Sequence, residues 1–309
     1  MVKTISNNKV KIGLVQTSVN EDIDANLAKT VKFIKEAAKK GAQIVCLQEL
    51  FATRYFAQVE DKKFFSLAEK IPGKITTFLS NCAKENRITL VGGSFYEKGE
   101  DGKYYNATLI FDSAGKIISK YRKVHIPHDP NYYEQYYFAP GNLGFVQVDV
   151  NLNSSTINNK TNNNSSNNSI SSVKIAPLIC YDQWFPEAAR ANVLKGAQII
   201  FYPTAIGWFN ELKKHEPFSA KRWENAMRGH ASMNGIFVAA VNRVGKEDKM
   251  QFWGGSFIAD PFGEIIARAS STKEQVLVAE IDLELIEHSQ EGWGFLRNRK
   301  PGQYKELVK

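Results

Sequence analysis

The chain has 309 residues, of which 43% are hydrophobic and 23% are charged, so its composition is that of a globular protein with a large buried core. Its formal net charge is +8, but clusters of basic residues are limited to short pairs such as Lys39 and Lys40 and a group at 297–300. A basic stripe or motif typical of nucleic-acid-binding proteins is missing, and no apolar run approaches the roughly 20 residues of a membrane span.

Cysteine usage and the first residues indicate a reducing, cytoplasmic location. The segment from Met1 to Asn8 has no apolar signal core. The three cysteines are odd in number, far apart and in no CxxC pair, which argues against a disulfide framework or a zinc site: Cys46, Cys82 and Cys180.

Hydrophobic periodicity predicts alternating strands and helices in the first half of the chain. Gly41 marks the end of the first helix, and a Ser-Ala-Gly-Lys turn at 113–116 joins the last two strands. We predict helices over 23–40 and 75–86, and strands over 10–16, 43–48, 88–95, 107–112 and 116–121.

A segment of different composition follows Asp149. Residues 151–172 are almost all Asn, Ser and Thr, so they have little apolar surface to bury, and we predict a disordered surface insertion. Predicted strands over 145–148 and 173–179 flank it and would otherwise meet in a simple turn. We therefore interpret the insertion as a loop expansion inside a single domain that covers 1–309, not as a linker.

The strand and helix pattern resumes after the insertion. We predict helices over 186–195 and 217–233, strands over 198–202, 236–242, 252–259, 264–268 and 275–281, and a polar tail from 291.

Two short self-similarities relate the halves of the chain. Lys-Gly-Ala-Gln-Ile-Val at 40–45 recurs as Lys-Gly-Ala-Gln-Ile-Ile at 195–200. Asp-Ser-Ala-Gly-Lys-Ile-Ile at 112–118 recurs as Asp-Pro-Phe-Gly-Glu-Ile-Ile at 260–266. They indicate a pseudo-symmetric α/β fold with two sheets face to face and helices outside.

Three predicted strands run directly into a side chain with catalytic chemistry: Glu49, Lys123 and Cys180. Carboxyl ends of strands are where open α/β folds gather their sites. A carboxylate, an ammonium and a thiol that converge there would serve as base, electrostatic stabiliser and nucleophile. A helix N-terminus after Cys180 would lower the pKa of its thiol.

Each of these residues also has a simpler interpretation. A buried cysteine is usually inert, a carboxylate often caps a helix, and a lysine is usually a surface residue. His125 and His128 could suggest a metal pair, but no further ligand cluster completes a metal site. A Cys–His pair that uses His125, His128 or His230 stays open at this point.

The three segments together resemble the catalytic motifs of the nitrilase superfamily. They are Leu-Gln-Glu-Leu-Phe at 47–51, Tyr-Arg-Lys-Val-His-Ile-Pro at 121–127 and Ile-Cys-Tyr-Asp-Gln-Trp-Phe-Pro-Glu at 179–187. They follow one another in the family's order, and Glu134 matches a second family glutamate. The similarity runs from about Val10 to Leu307. Within the family the chain most resembles the N-carbamoylputrescine amidase branch, except that Tyr181 stands where that branch often has Trp.

The resemblance implies a four-layer α-β-β-α sandwich, no cofactor and no metal, and self-association as a dimer or larger homo-oligomer. It implies that Cys180 is the nucleophile, that Glu49 is the general base, and that Lys123 and the Tyr181 N–H stabilise an oxyanion. Glu134 would position Lys123 or the substrate nitrogen.

The implied substrate is a small ureido-amine. The segment 203–209 has no basic residue, and the segment 129–138 is acidic and aromatic, which suits a cation on an alkyl stem. Candidate substrate-binding residues are Tyr133, Tyr181, Asp182, Trp184 and Thr204.

Three alternatives stay open. The tyrosines could instead pack at a dimer interface, and Asp182 could only cap a helix. The substrate could be an N-carbamoyl amino acid, a simple amide or a nitrile. The chain could also be a non-catalytic assembly protein on the same fold.

Overall fold

A computed structural model describes residues 8–152 and 172–308 of the chain. Its helices are α1 (Ile23–Lys39), α2 (Lys74–Asn86), α3 (Pro186–Leu194), α4 (Asn210–His215), α5 (Ser219–Asn234) and α6 (Glu284–Trp293). Its strands are β1 (Lys9–Gln16), β2 (Ile44–Leu47), β3 (Thr89–Val91), β4 (Phe95–Lys98), β5 (Tyr104–Phe111), β6 (Ile117–Arg122), β7 (His128–Asp129), β8 (Tyr132–Tyr133), β9 (Val148–Asn151), β10 (Ser172–Pro177), β11 (Ile199–Pro203), β12 (Gly207–Trp208), β13 (Phe237–Val241), β14 (Val244–Glu247), β15 (Met250–Trp253), β16 (Phe257–Ala259), β17 (Ile265–Arg268) and β18 (Gln275–Asp282).

The strands form two large mixed sheets. The first has the order β18-β1-β2-β3-β5-β4, with β6 also paired to β5. The second has the order β17-β16-β13-β11-β10-β9. The central pairs β1–β2 and β2–β3 are parallel in the first sheet, as are β10–β11 and β11–β13 in the second. Parallel strands place their carboxyl ends at one edge, which is where an α/β fold builds its site.

Alternation along the strands creates three cores and therefore four layers. Ile12 and Ile44 of the first sheet pack against Ile175 and Ile199 of the second. The opposite face of the first sheet packs against α1 and α2 through residues such as Leu47, Leu27 and Leu79. The opposite face of the second sheet packs against α3 and α5, with Ile200, Val193 and Met227 in contact. The predicted α-β-β-α sandwich is confirmed.

Helix α1 illustrates how the sequence sets these layers. The carboxylate of Asp22 accepts a hydrogen bond from the Ala25 N–H and caps the helix N-terminus. Leu27, Ile34 and Ala37 recur at helical spacing and are buried against the sheet. Gly41 has φ +87° and turns the chain into β2.

Several predicted boundaries are wrong, and paired glycines explain two of them. The strand predicted over 88–95 is two strands, because Gly93 has φ +63° and a Cβ there would meet the Gln48 carbonyl at 2.2 Å. The strand predicted over 252–259 is also two strands. Gly254 and Gly255 both have positive φ. At these two residues the chain leaves β15, in a three-stranded sheet, and continues to β16 in the second large sheet.

Three further predicted boundaries differ from the structure. The strand predicted over 145–148 begins only at Val148, and the helix predicted from 217 begins at Ser219, after the unpredicted short helix α4. The predicted polar tail contains the end of α6, an amphipathic helix whose Ile286 is buried and which ends at Gly294 with φ +64°.

The insertion lies mostly outside the described residues, but its two ends do not. Strands β9 and β10 are antiparallel, with Asn151 opposite Ser172 and Val150 opposite Val173. Asn151 and Ser172 are therefore strand residues, not part of a loop. Among the described residues, the structure contains no helix long and apolar enough to cross a membrane.

Candidate active site

Strand ends bring Glu49, Lys123 and Cys180 together in the interior. Glu49 follows β2 and Lys123 follows β6 in the first sheet, and Cys180 follows β10 in the second. Glu49 and Lys123 are fully buried, and Cys180 is 6% exposed. The charges of both Glu49 and Lys123 act on the thiol, so the three groups form one electrostatic unit.

Lys123 lies between two carboxylates. Its Nζ is 2.9 Å from Glu49 Oε1 and 2.6 Å from Glu134 Oε2. Asn106 donates a hydrogen bond of 2.8 Å to Glu49 Oε1, and the Tyr55 hydroxyl donates one of 2.7 Å to Glu134 Oε1. Buried charges require such partners. Glu49 Oε2 is buried and has no hydrogen-bond partner among the described residues, so this oxygen is free to accept a proton.

The cluster fixes the charge of Lys123. Burial alone would lower the pKa of its ammonium, but Glu134 and Glu49 outweigh burial and raise it. Lys123 is therefore a permanent cation at neutral pH. Burial, together with the negative charge of Glu49, raises the pKa of Glu134, although Lys123 opposes this.

The Cys180 thiol behaves differently from the helix-terminal thiol that the sequence suggested. Burial and then the charge of Glu49 raise its pKa well above the ordinary value, and the ammonium of Lys123 only partly offsets them. Cys180 begins a short 3₁₀ helix (Cys180–Trp184), and α3 starts only at Pro186. The raised pKa favours the neutral thiol, so a nucleophilic role for Cys180 would require a base.

Cys180 sits in a strained turn. Its φ is +43°, in the left-handed region that residues with a side chain rarely adopt, at a cost of about 1–3 kcal/mol. Its Sγ lies 4.0 Å from the carbonyl oxygen of Ala205. The surrounding hydrogen bonds must stabilise this conformation, and most of them converge on one carboxylate two residues later.

That carboxylate is Asp182, which is fully buried. Oδ2 accepts hydrogen bonds from the Ile179 N–H at 2.9 Å and the Tyr121 hydroxyl at 2.7 Å. Oδ1 accepts the His125 N–H at 3.0 Å and lies 2.7 Å from His125 Nδ1. Asp182, which the sequence analysis predicts as a substrate-binding residue, uses both oxygens to tie the strand of Lys123 to the turn of Cys180.

A cavity of about 530 Å³ opens onto Cys180. Its floor contains Cys180 and Glu134, so a small molecule could reach both. Aromatic and charged side chains form its walls: Asp129, Tyr132, Tyr181, Trp184, Phe209, Glu216, Arg222 and Trp253.

Of the five predicted substrate-binding residues, two line this cavity, and Asp182, Tyr133 and Thr204 do not. Tyr181 and Trp184 are part of the wall. Tyr133 is directed away from it and packs on His128, because successive strand residues face opposite sides and Tyr132 occupies the cavity side. Thr204 is fully buried, and its hydroxyl donates to the Tyr202 carbonyl at 3.1 Å.

Sequence reasoning missed several residues of the site. Asn106 and Tyr55 donate hydrogen bonds to Glu49 and Glu134. Asn106 lies within β5 and Tyr55 in the connection after β2, and no sequence pattern distinguishes either from a structural residue. Arg222 is a basic residue on the cavity wall that comes from α5, outside the segment 203–209 inspected for basic residues. Its position within a helix gave no sign that it faces the cavity.

The histidines have other partners. His125 contacts Asp182, and its ring stacks on Phe185 with centroids 3.6 Å apart. His230 Nε2 lies 2.7 Å from the Gln183 carbonyl oxygen. Within the described ranges no histidine forms a hydrogen bond with Cys180, which disfavours the Cys–His alternative.

Comparisons with known proteins agree with this geometry. Residues 11–290 match the carbon-nitrogen hydrolase family. The chain is 38% identical over 311 residues to an N-carbamoylputrescine amidase of Solanum lycopersicum, a match that covers 98% of the chain and 96% of the relative. It is 35% identical over 304 residues to a citrullinase of Francisella tularensis, covering 97% of the chain and 98% of the relative.

A solved structure has the same fold. The carbon-nitrogen hydrolase from Helicobacter pylori G27 superposes with a TM-score of 0.87 at 35% sequence identity. The match covers 98% of the chain and 99% of the solved one.

Proposed function

The chain belongs to the carbon-nitrogen hydrolase family, the nitrilase superfamily, and on this premise we propose that it hydrolyses N-carbamoylputrescine to putrescine, carbon dioxide and ammonia. The observation that carries the catalytic part of the proposal is the free Glu49 Oε2 beside a neutral, buried thiol and a permanently charged lysine.

The first half of the reaction forms a thiocarbamate on Cys180. Glu49 accepts the Cys180 proton while the sulfur attacks the ureido carbonyl carbon, and the carbonyl oxygen becomes an oxyanion. Lys123 Nζ and the Tyr181 N–H stabilise that oxyanion, and such donors contribute about 3–4 kcal/mol each. Glu49 then returns the proton to the departing nitrogen, so that ammonia leaves and an alkylcarbamoyl group stays on Cys180.

The second half releases the product. Glu49 takes a proton from water, whose oxygen attacks the thiocarbamate carbon. Glu49 then passes this proton to the sulfur as the C–S bond breaks. The product is a carbamic acid, which decomposes to putrescine and carbon dioxide. Glu134 keeps Lys123 in place through both halves by its 2.6 Å contact.

The cavity supports a cationic substrate tail. Asp129 and Glu216 are acidic residues of its wall, and Trp184, Tyr132 and Phe209 provide aromatic faces. An ammonium group on an alkyl stem gains from charge pairing and from cation–π contact in such a setting.

A second candidate substrate is citrulline, because of Arg222. Its guanidinium lies 5.5 Å from the Trp184 ring centroid, and its Nη1 is 3.4 Å from Glu216 Oε2. Arg222 could bind an α-carboxylate while Glu216 binds the α-ammonium of the same molecule. N-carbamoylputrescine has no carboxylate and would leave Arg222 without this contact.

Ammonia release from three ureido compounds tests the proposal. We expect the highest kcat/KM with N-carbamoylputrescine and a low value with N-carbamoyl-β-alanine. Citrulline as the best substrate would replace the first candidate by the second. Ammonia release from none of the three, or only from simple amides or nitriles, would contradict the ureido assignment.

The same panel on two variants locates the specificity. Glu216→Gln should raise KM for N-carbamoylputrescine, since it removes a negative charge from the cavity. Arg222→Met should spare that substrate and lower activity with citrulline. Equal effects of both variants on both substrates would contradict a role for this pair in recognition.

We also propose self-association. The outer surface around α3, α5 and the end of α6 exposes large apolar side chains, among them Met233, Trp293 and Leu307. Contiguous patches of this kind mark interaction sites. Light scattering should give at least twice the mass of one chain, and Trp293→Glu should reduce it; a monomeric wild-type protein would contradict the proposal.

A further inference from the structure

A buried ion pair outside the cavity contacts the backbone at Glu49 and at Tyr55, the residue that binds Glu134. Arg243 directly precedes β14 and Glu247 is its last residue, and their side chains are 0% and 1% exposed. Arg243 Nη1 is 2.8 Å from Glu247 Oε1. Neither residue lines the cavity on Cys180, so neither is placed to contact substrate.

Arg243 holds the backbone that carries the general base. Its Nη2 donates to the carbonyl oxygens of Glu49 at 2.6 Å and of Leu50 at 2.8 Å. Leu50 has φ +45°, so the peptide directly after Glu49 is in the strained left-handed region. Nη2 binds the two successive carbonyls of this turn while Nη1 binds Glu247, and the single nitrogen of an ammonium cannot occupy both positions.

Glu247 holds the other carboxylate through Tyr55. Glu247 Oε2 accepts the Tyr55 N–H at 2.6 Å. The Tyr55 hydroxyl in turn donates to Glu134 Oε1 at 2.7 Å, and the Tyr55 ring is 1% exposed. Glu134 is the residue that fixes Lys123 from the side opposite Glu49.

We propose that Arg243 and Glu247 are positioning residues, which set the spacing of Glu49 and Glu134 around Lys123 and so keep Glu49 Oε2 directed at the thiol. The inference rests on the proposed catalytic roles of these groups but on no particular substrate. Replacing either residue should lower kcat and leave KM nearly unchanged, because the pair acts on the reacting groups and not on the cavity wall.

The test replaces each of the three residues that make these contacts, one at a time. Arg243→Lys retains the charge but loses the fork, and we expect kcat to fall about 100-fold, as for a misplaced catalytic group. Glu247→Gln has one acceptor oxygen for two donors, the Tyr55 N–H and Arg243 Nη1, and leaves the buried guanidinium without its counter-charge, so it should also lower kcat. Tyr55→Phe removes only the hydroxyl bound to Glu134 and should lower kcat roughly tenfold with little change in KM or Tm.

A stability control separates positioning from folding. Leu27→Ala removes a buried side chain on α1, away from the site, and should lower Tm while kcat of the folded protein stays unchanged. An Arg243→Lys protein with wild-type kcat would overturn the proposal. The proposal would also be overturned if Arg243→Lys lost no more activity than Leu27→Ala does when the same fraction of each protein is folded.

Alkylation of Cys180 by iodoacetamide separates this inference from the proposed function. If the wild-type protein releases no ammonia from any ureido compound, the function fails but the alkylation assay still applies. We expect Arg243→Lys to slow alkylation and to shift its pH profile, since Glu49 would accept the thiol proton less effectively. An unchanged profile in folded Arg243→Lys protein would contradict the positioning role by itself.

Discussion

Glu49 and Lys123 contact each other through one carboxylate oxygen, with Oε1 2.9 Å from Nζ, while Oε2 of Glu49 has no hydrogen-bond partner among the described residues. Two functions thus lie on the two oxygens of one carboxylate. Oε1 orients the lysine that would stabilise the oxyanion, and Oε2 is available for the thiol proton.

Glu49→Gln should remove turnover because an amide cannot accept the thiol proton. We expect kcat to fall by a factor on the order of 10²–10⁴, the usual contribution of a general base. Ammonia release under saturating substrate measures it. Glu224→Gln is the matched control. Glu224 lies on α5, is also buried and pairs with Arg268 of β17, so its replacement should leave kcat unchanged. Full activity of Glu49→Gln would show that another group is the base.

The raised pKa of Cys180 predicts a specific pH dependence of stability. The ordinary thiol ionises near 9.0, whereas the folded protein holds the proton to higher pH, because burial and Glu49 disfavour the thiolate. Between these two pKa values the unfolded chain binds fewer protons than the native one, so rising pH destabilises the native state.

Cys180→Ala lacks this thiol and should lose less stability above pH 9 than the wild-type protein does. The difference grows by at most about 1.4 kcal/mol per pH unit. Thermal unfolding of both proteins from pH 7 to 11 measures it. Parallel curves for the two proteins would mean that the native thiol titrates normally.

Asp182→Asn should act on the turn of Cys180, not on substrate affinity. Either orientation of the new amide places an NH₂ against an N–H donor, that of Ile179 or that of His125. We expect a loss of roughly 1–3 kcal/mol in the free energy of unfolding. We also expect a fall in kcat with KM nearly unchanged. A variant that raises KM alone would restore the original interpretation of Asp182 as a substrate-binding residue.

Deletion of residues 153–171 should preserve activity. Strands β9 and β10 pair up to Asn151 and Ser172, so a short turn can close the gap between them. Replacing the segment by Asn-Gly should leave kcat, KM and Tm close to their wild-type values. A large fall in Tm, or a change in oligomer size by light scattering, would show that the segment packs against the rest or mediates assembly.

The sequence predicted the main layers because the strands and helices that form them have strong periodicity. Glu49, Lys123 and Cys180 could be identified because each follows a predicted strand and lies in a segment that resembles a catalytic motif of the nitrilase superfamily. Arg243 follows the apolar strand β13 by two residues and carries the first of these signals, which was not used. The strand-end criterion alone could have identified it.

Other features could not be read from the sequence. The role of Asp182 depends on Tyr121 and His125, which are close only after the two sheets pack. Whether Tyr132 or Tyr133 faces the cavity depends on the register of a two-residue strand. Helix α6 was not predicted, and its last three residues fall in the predicted polar tail from 291, because few apolar residues mark its buried face.

Intact-mass spectrometry of the protein mixed with N-carbamoylputrescine tests the central claim most directly. The account predicts a transient adduct on Cys180 whose mass is that of the substrate minus ammonia, and release of ammonia at a rate that matches its formation. Cys180→Ala should form neither adduct nor ammonia, whereas Cys46→Ala, which alters a thiol buried between the sheets, should form both. Ammonia release from Cys180→Ala, or an adduct at another residue, would contradict the account.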